Sequence, residues 1–334
     1  MNEYKDYLRN NNLLEILKSF EFSNTNIEKL REDITEALDK ELEDDEDLKK
    51  LCIVTTGSFA RREASEASDL DYFIIIPDHL DKEYVLNRVG KLISEAVQKT
   101  VTKDTGSTGT FGVDSIMQEK DLLLLNHNDE QNKDLTRRML LILEGDYLYN
   151  NELFLTIRKK ILEIYIDNNE VKFIINDIAR YYRTMLTDFH YKINFGNKDW
   201  GVRSIKLKFS RKIIYLSGLL SITIVERTNS KEKNVDNLEA TLSFSPLERT
   251  FNLLKSEDAI LLKIFEEYNY FLGIISDDQK RSALDEINRD SRDESELYIE
   301  VNRKGESFKD NCYKALNCKY NRDKGNFRFE YLVI

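Results

Sequence analysis

The stretch Leu51–Pro77, LCIVTTGSFARREASEASDLDYFIIIP, decides how the whole chain is read. An apolar run ends in Gly57-Ser58, a polar segment follows, and Asp69-Leu70-Asp71 leads into a second apolar run closed by Pro77. Both runs are rich in β-branched and aromatic residues, which predicts two buried neighbouring strands, Leu51–Val54 and Leu70–Ile76. Strand side chains alternate with a period of two, so Asp69 and Asp71 are expected on one face, within reach of the same cations. A Gly-Ser turn that opens a helix offers unpaired backbone N–H groups, a hydroxyl and the positive end of the helix dipole, all suited to a phosphate. The stretch therefore predicts a site that holds a phosphate and a metal together.

Working outward, residues 1–50 carry apolar positions at helical spacing, with Ile27, Leu30, Ile34, Leu38 and Leu42 as one stripe. The acidic run Glu41–Asp47 reads as a solvated helix end or loop rather than a metal site, because nothing apolar frames it into ligand geometry. After Pro77, Asp78 or Asp81 starts a helix whose face holds Val85, Val89, Ile93 and Val97. A Gly/Thr/Ser turn spans Thr102–Thr110, and Phe111–Met117 alternates as a third strand, which sets Asp114 beside the Asp69/Asp71 strand. From Leu135 the periodicity is helical for over a hundred residues, interrupted by the polar segment Glu226–Leu238, which reads as a loop. Residues 276–304 are charged, and Asn326–Ile334 alternates as a terminal strand. The expected fold class is α+β: an N-terminal mixed sheet flanked by helices over residues 1–130, then a mainly α-helical domain over 131–334.

With 334 residues and 41% hydrophobic content, the chain has enough material for two cores. Its apolar runs are far shorter than a bilayer span, and MNEYKDYLRN lacks an apolar signal core, so no membrane association and a cytoplasmic location are expected. Cys52, Cys312 and Cys318 have neither a disulfide framework's pattern nor a zinc site's spacing. A net charge of −11 argues against wholesale coating of nucleic acid. His79, His127 and His190 lie tens of residues apart, and no Walker-type glycine loop or dinucleotide fingerprint is present.

Gly57-Ser58, ten intervening residues and Asp69-Leu70-Asp71 between strands resemble the nucleotidyltransferase superfamily typified by DNA polymerase β. The fuller string Gly57-Ser58-Phe59-Ala60-Arg61-Arg62-Glu63 is more similar to the bacterial branch with the PII-protein uridylyltransferases. The resemblance implies that Gly57 and Ser58 touch the outer phosphates of an NTP substrate. It also implies that Asp69 and Asp71 hold Mg2+ (or Mn2+), and that a third carboxylate helps to activate an acceptor hydroxyl. Such chemistry needs closely spaced hard oxygen ligands, because two cations about 3.5–4 Å apart clamp the attacking and leaving oxygens. For the third acid Asp114 has the best context, on its alternating strand, whereas Glu119 and Asp121 fall where another helix begins. Arg61, one turn beyond the Gly-Ser pair, can support the phosphates or serve a solvated helix face.

A second surface lies between Lys192 and Lys212, where seven Lys/Arg residues face a single acid, Asp199. Arg203 and Lys206, then Lys208, Arg211 and Lys212, gather at helical spacings after Trp200, the only tryptophan. As a basic wall, Lys206 and Arg211 would face the nucleotide or a polynucleotide; as a plain helix, they form an exposed cationic face over a core of Leu207, Ile214 and Leu216. In Arg180-Tyr181-Tyr182-Arg183, core packing competes with stacking on a base. The function expected is Mg-dependent transfer of a nucleoside monophosphate to a hydroxyl on an unidentified protein, RNA or small-molecule acceptor. The alternative is a catalytically inactive nucleotide-binding module, regulatory or part of a toxin–antitoxin or phage-defence pair.

Overall fold

A computed structural model describes residues 2–103, 111–124, 132–166, 170–195 and 199–322. The expected terminal strand 326–334, most of the turn at 102–110, His127, Lys198 and most of the expected boundary at 126–134 lie outside the described residues. The chain divides into two compact units, one made of residues 19–165 and the other of residues up to 18 together with those from 166 onward.

The chain opens with α1 (Asn2–Asn10) and the long α2 (Leu14–Glu41). The unit 19–165 then adds β1 (Cys52–Thr56), α3 (Gly57–Ala60), β2 (Asp71–Ile76) and α4 (Lys82–Gln98). It continues with β3 (Ile116–Gln118), α5 (Glu119–Leu123), α6 (Lys133–Leu143), β4 (Asp146–Tyr149) and α7 (Asn151–Tyr165). Its four strands lie in the order β3-β2-β1-β4, with β1 antiparallel to β2 and β4, and β2 parallel to β3. This is the expected mixed sheet. Alternation gives it two buried faces. Ile53, Tyr72, Ile74 and Ile76 pack with the α2 stripe Ile27-Leu30-Ile34-Leu38 and with Val85, Val89 and Ile93 of α4. Cys52, Val54, Phe73, Ile75 and Met117 face the other way, where α6 and α7 pack against β1. Asp81 caps α4, its side chain accepting from the Tyr84 N–H.

The other unit is helical: α8 (Lys172–Asn194), α9 (Gly201–Lys208), α10 (Ser210–Ile222), α11 (Lys231–Leu242), α12 (Pro246–Leu254), α13 (Asp258–Ile275), α14 (Asp278–Asp285) and α15 (Glu296–Arg322). Helix α10 is central, packed against α8, α9, α11, α12 and α15. Four rings fill the middle: Phe209 stacks on Phe271 with centroids 4.7 Å apart, and Tyr268 and Phe308 close around them. Tyr4 and Tyr7 of α1 pack on Phe251 and Phe265, so the first helix completes this unit. No described helix is long and apolar enough to cross a membrane.

Two expectations are corrected. The segment Glu226–Leu238 is not all loop: Ser230 caps α11 by accepting from the Lys233 N–H, and Val235, Leu238 and Leu242 are buried on it together with Asn234. The third strand is only Ile116–Gln118, and residues 111–114 form turns. Gly112, at φ 100°, takes a backbone conformation that ends regular extension there.

Candidate active site

The residues between α3 and Asp69 are held by charge rather than by secondary structure. Arg61 is 5% exposed, and its guanidinium donates to Glu63 Oε2 at 2.9 Å and to Glu144 Oε2. Both carboxylates are buried as well. Arg62 adopts φ 62° and donates to Asn24 Oδ1, the Phe59 and Ala60 carbonyls, and Asp146. Burial alone would raise the Asp146 carboxyl, but the guanidiniums of Arg62 and Arg31 hold it below the ordinary carboxylate range. The Ala64 N–H donates to Ser23 Oγ, and the Glu63 N–H returns to the Ser58 carbonyl. Arg61 is thus taken up by two acids and turned away from solvent, and the phosphate role expected for it is not supported by this placement.

This pinned loop brings the Gly-Ser turn against the carboxylate. Thr56 lies opposite Asp71 in the β1–β2 register, and Gly57 follows at φ 68°. A Cβ on Gly57 would lie 2.3 Å from Asp71 Oδ2 and 3.0 Å from Asp71 Cβ, so only glycine permits this approach. The Thr55 hydroxyl donates to the Asp71 carbonyl at 3.1 Å and fixes where β2 starts. Thr56 Oγ1, on the sheet face of Asp71, is buried without a hydrogen-bond partner. Ser58, Asp69 and Asp71 are all half-exposed.

Asp69 lies in the segment leading into β2 rather than on the strand, two residues from Asp71 and so within about 7 Å along the chain. Asp114 sits in the exposed turn before β3. Its charge acts on the Tyr72 hydroxyl, and Tyr72 projects from the face opposite Asp71. Tyr72 is pushed up to about 12, chiefly by burial. Among the described residues no three His, Cys, Asp or Glu side chains come together to hold a metal, so Asp69, Asp71 and Asp114 form no three-carboxylate cluster. What remains at the Gly57 turn is the Asp71 carboxylate with the orphaned Thr56 hydroxyl on its face of the sheet, and Ser58 and Asp69 adjoin them along the chain. That donor set fits a hard cation that arrives with its nucleotide, since Mg2+ is commonly bound through one or two carboxylates plus substrate phosphates.

Residues 35–166 match the family model of the nucleotidyltransferase domain. The match supports the superfamily, and with it nucleotidyl transfer in general terms, for the region that contains the sheet. No curated protein matches the chain.

Within this nucleotidyltransferase-like region Arg137 is a further cation beside the sheet. Arg137 of α6 donates through Nη2 to Ser115 Oγ at 2.9 Å. Burial pushes its guanidinium below its ordinary pKa, against the pull of Asp134 and Asp121. Its neighbour Arg138 is structural, donating to the Tyr165 hydroxyl and to the Leu122 and Leu124 carbonyls. Sequence distinguishes the two poorly, because both fall in one helical run and only the packing of α6 decides which one is buried. Lys206 and Arg211 belong to the helical unit, on α9 and α10, and both are half-buried. Lys206 shares with Arg281 and Arg203 the field around Asp285.

Proposed function

We propose that the unit 19–165 transfers a nucleoside monophosphate from an NTP to a hydroxyl-bearing acceptor in a reaction dependent on Mg2+ or Mn2+. One observation carries this reading: the close approach of the Gly57 turn to the Asp71 carboxylate, which sets a phosphate-binding backbone beside a metal-binding side chain. Asp69 and Asp71 would hold the cation. When bound, it neutralises the polyphosphate and lowers the pKa of the acceptor hydroxyl. Gly57 N–H and Ser58 Oγ donate to the outer phosphate oxygens, and Arg137 offers a desolvated charge to the same group. The acceptor oxygen attacks the α-phosphorus as its proton passes to a carboxylate or water, the bond from that phosphorus to the bridging oxygen breaks, and pyrophosphate leaves. The string Gly57–Glu63 supports the branch with the PII-protein uridylyltransferases.

The test is incubation with each of the four triphosphates, labelled at the α-phosphate, with Mg2+ or Mn2+ and cell extract. Label should appear on an acceptor, with pyrophosphate released, and Asp69→Asn and Asp71→Asn should nearly abolish both while keeping the far-UV spectrum. Full activity in either variant rejects the mechanism. Triphosphate binding without label transfer for any acceptor moves the protein to the nucleotide-sensing class.

A further inference from the structure

The helical unit contains a cavity of about 620 Å³, lined by none of the residues assigned above to the transfer reaction. Lys208, Lys212 and Arg292 line it as cations, against the acids Asp293 and Glu306. Glu306 is taken up by Lys208 at 2.8 Å and also by Lys309, and Arg292 Nε lies 3.5 Å from Asp293. That leaves the Lys212 ammonium without an ion pair or hydrogen bond among the described residues. Burial pushes its pKa down, only partly offset by Cys312 and Glu306, so an arriving anion would stabilise the charged ammonium there. The remaining wall is aromatic and apolar. Trp200 and Tyr298 stand with ring centroids 5.0 Å apart, beside Phe189 and the 48%-exposed Ile299. The Asn302 amide adds a paired donor and acceptor.

The chemistry narrows the occupant. A cation is disfavoured by the positive lining, a bare anion leaves the aromatic wall empty, and an apolar molecule leaves Lys212 uncompensated. We infer that this pocket binds a nucleoside monophosphate, its phosphate on Lys212 and Arg292, its base against Trp200 and Tyr298, and its polar edge at Asn302. Aromatic rings stack on any base, and a side-chain amide can read a base edge. The cavity falls within the roughly 300–1,000 Å³ of small-molecule sites. The inference rests on the helical unit alone and holds whether or not the sheet unit transfers nucleotides.

Trp200 is the only tryptophan in the chain, so intrinsic fluorescence reports this pocket directly. The full chain is titrated with AMP, GMP, CMP and UMP, and with the matching nucleosides and inorganic phosphate. At least one monophosphate should give saturable quenching and a matching calorimetric heat, with its nucleoside and free phosphate each at least about tenfold weaker. Lys212→Met should weaken binding by about tenfold or more and Asn302→Ala by a smaller factor, while Asp71→Asn leaves it unchanged. If Lys212→Met fails to fold by circular dichroism, Asn302→Ala decides. The inference is overturned if no monophosphate binds, if nucleosides bind as tightly, if the decisive variant binds like the parent protein, or if Asp71→Asn abolishes binding.

Discussion

Replacing Gly57 by alanine separates the role of the turn from that of the fold. At φ 68° an L residue costs about 1–2 kcal/mol, since its Cβ crowds the following carbonyl oxygen. The added methyl would also sit 2.3 Å from Asp71 Oδ2. That oxygen is the far end of a short side chain, so rotating the carboxylate away relieves the contact at small energetic cost. The 3.0 Å approach to Asp71 Cβ adds a backbone shift of a few tenths of an ångström. Gly57→Ala should therefore lower the melting temperature only modestly, by roughly 3–6 °C. Function should suffer far more, because misplacing a catalytic ligand by about 1 Å costs on the order of 100-fold. The assay pairs thermal unfolding with metal-dependent nucleotide turnover. A second arm compares Asp71→Asn with the double variant Gly57→Ala/Asp71→Asn. If the methyl acts by displacing Asp71, the double variant is no slower than Asp71→Asn alone. Near-parental turnover in Gly57→Ala, or fully additive losses in the double variant, refutes the proposed coupling between turn and carboxylate.

Two further predictions concern the pinned loop. Arg61→Met strands the buried carboxylates of Glu63 and Glu144 and should cost about 3–5 kcal/mol in urea unfolding, much of it recovered by adding Glu63→Gln and Glu144→Gln; an unfolding midpoint equal to the parent's would show that the ion pairs do not hold the loop. Asp146 has a lowered folded pKa, so its contribution is complete above the unfolded value of about 3.9 and fades as the pH falls through the lower folded value. Asp146→Asn should therefore lower stability at neutral pH and flatten the acid limb below about pH 4, and an acid limb as steep as the parent's would count against the pairing with Arg62 and Arg31.

What could be read from sequence was local. The strands of β1 and β2, the Gly57-Ser58 turn and the α4 cap each depend on residues close together in the chain, and those features stand. Phe111–Met117 alternates like a strand, yet the Gly112 backbone turns the segment before the ladder begins, so Asp114 stands in a turn rather than on the strand. Arg61 looked available because its burial depends on Glu144, 83 residues away. Helix α11 is masked by composition: its buried face has only three apolar residues, and the fourth buried side chain is Asn234, which donates to the Glu226 carbonyl. The Lys212 pocket draws on α8, α9, α10 and α15, so the basic run was visible while the unpaired member was not.

The pairing of Tyr4 and Tyr7 with Phe251 and Phe265 has a consequence for synthesis. The first helix leaves the ribosome long before the rings that receive it. The sheet unit, complete by residue 165, can fold while the ends of its neighbour are still one translated and one not. Until those rings are made, Tyr4 and Tyr7 lack the partners that bury them, and a truncation before residue 251 would remove both.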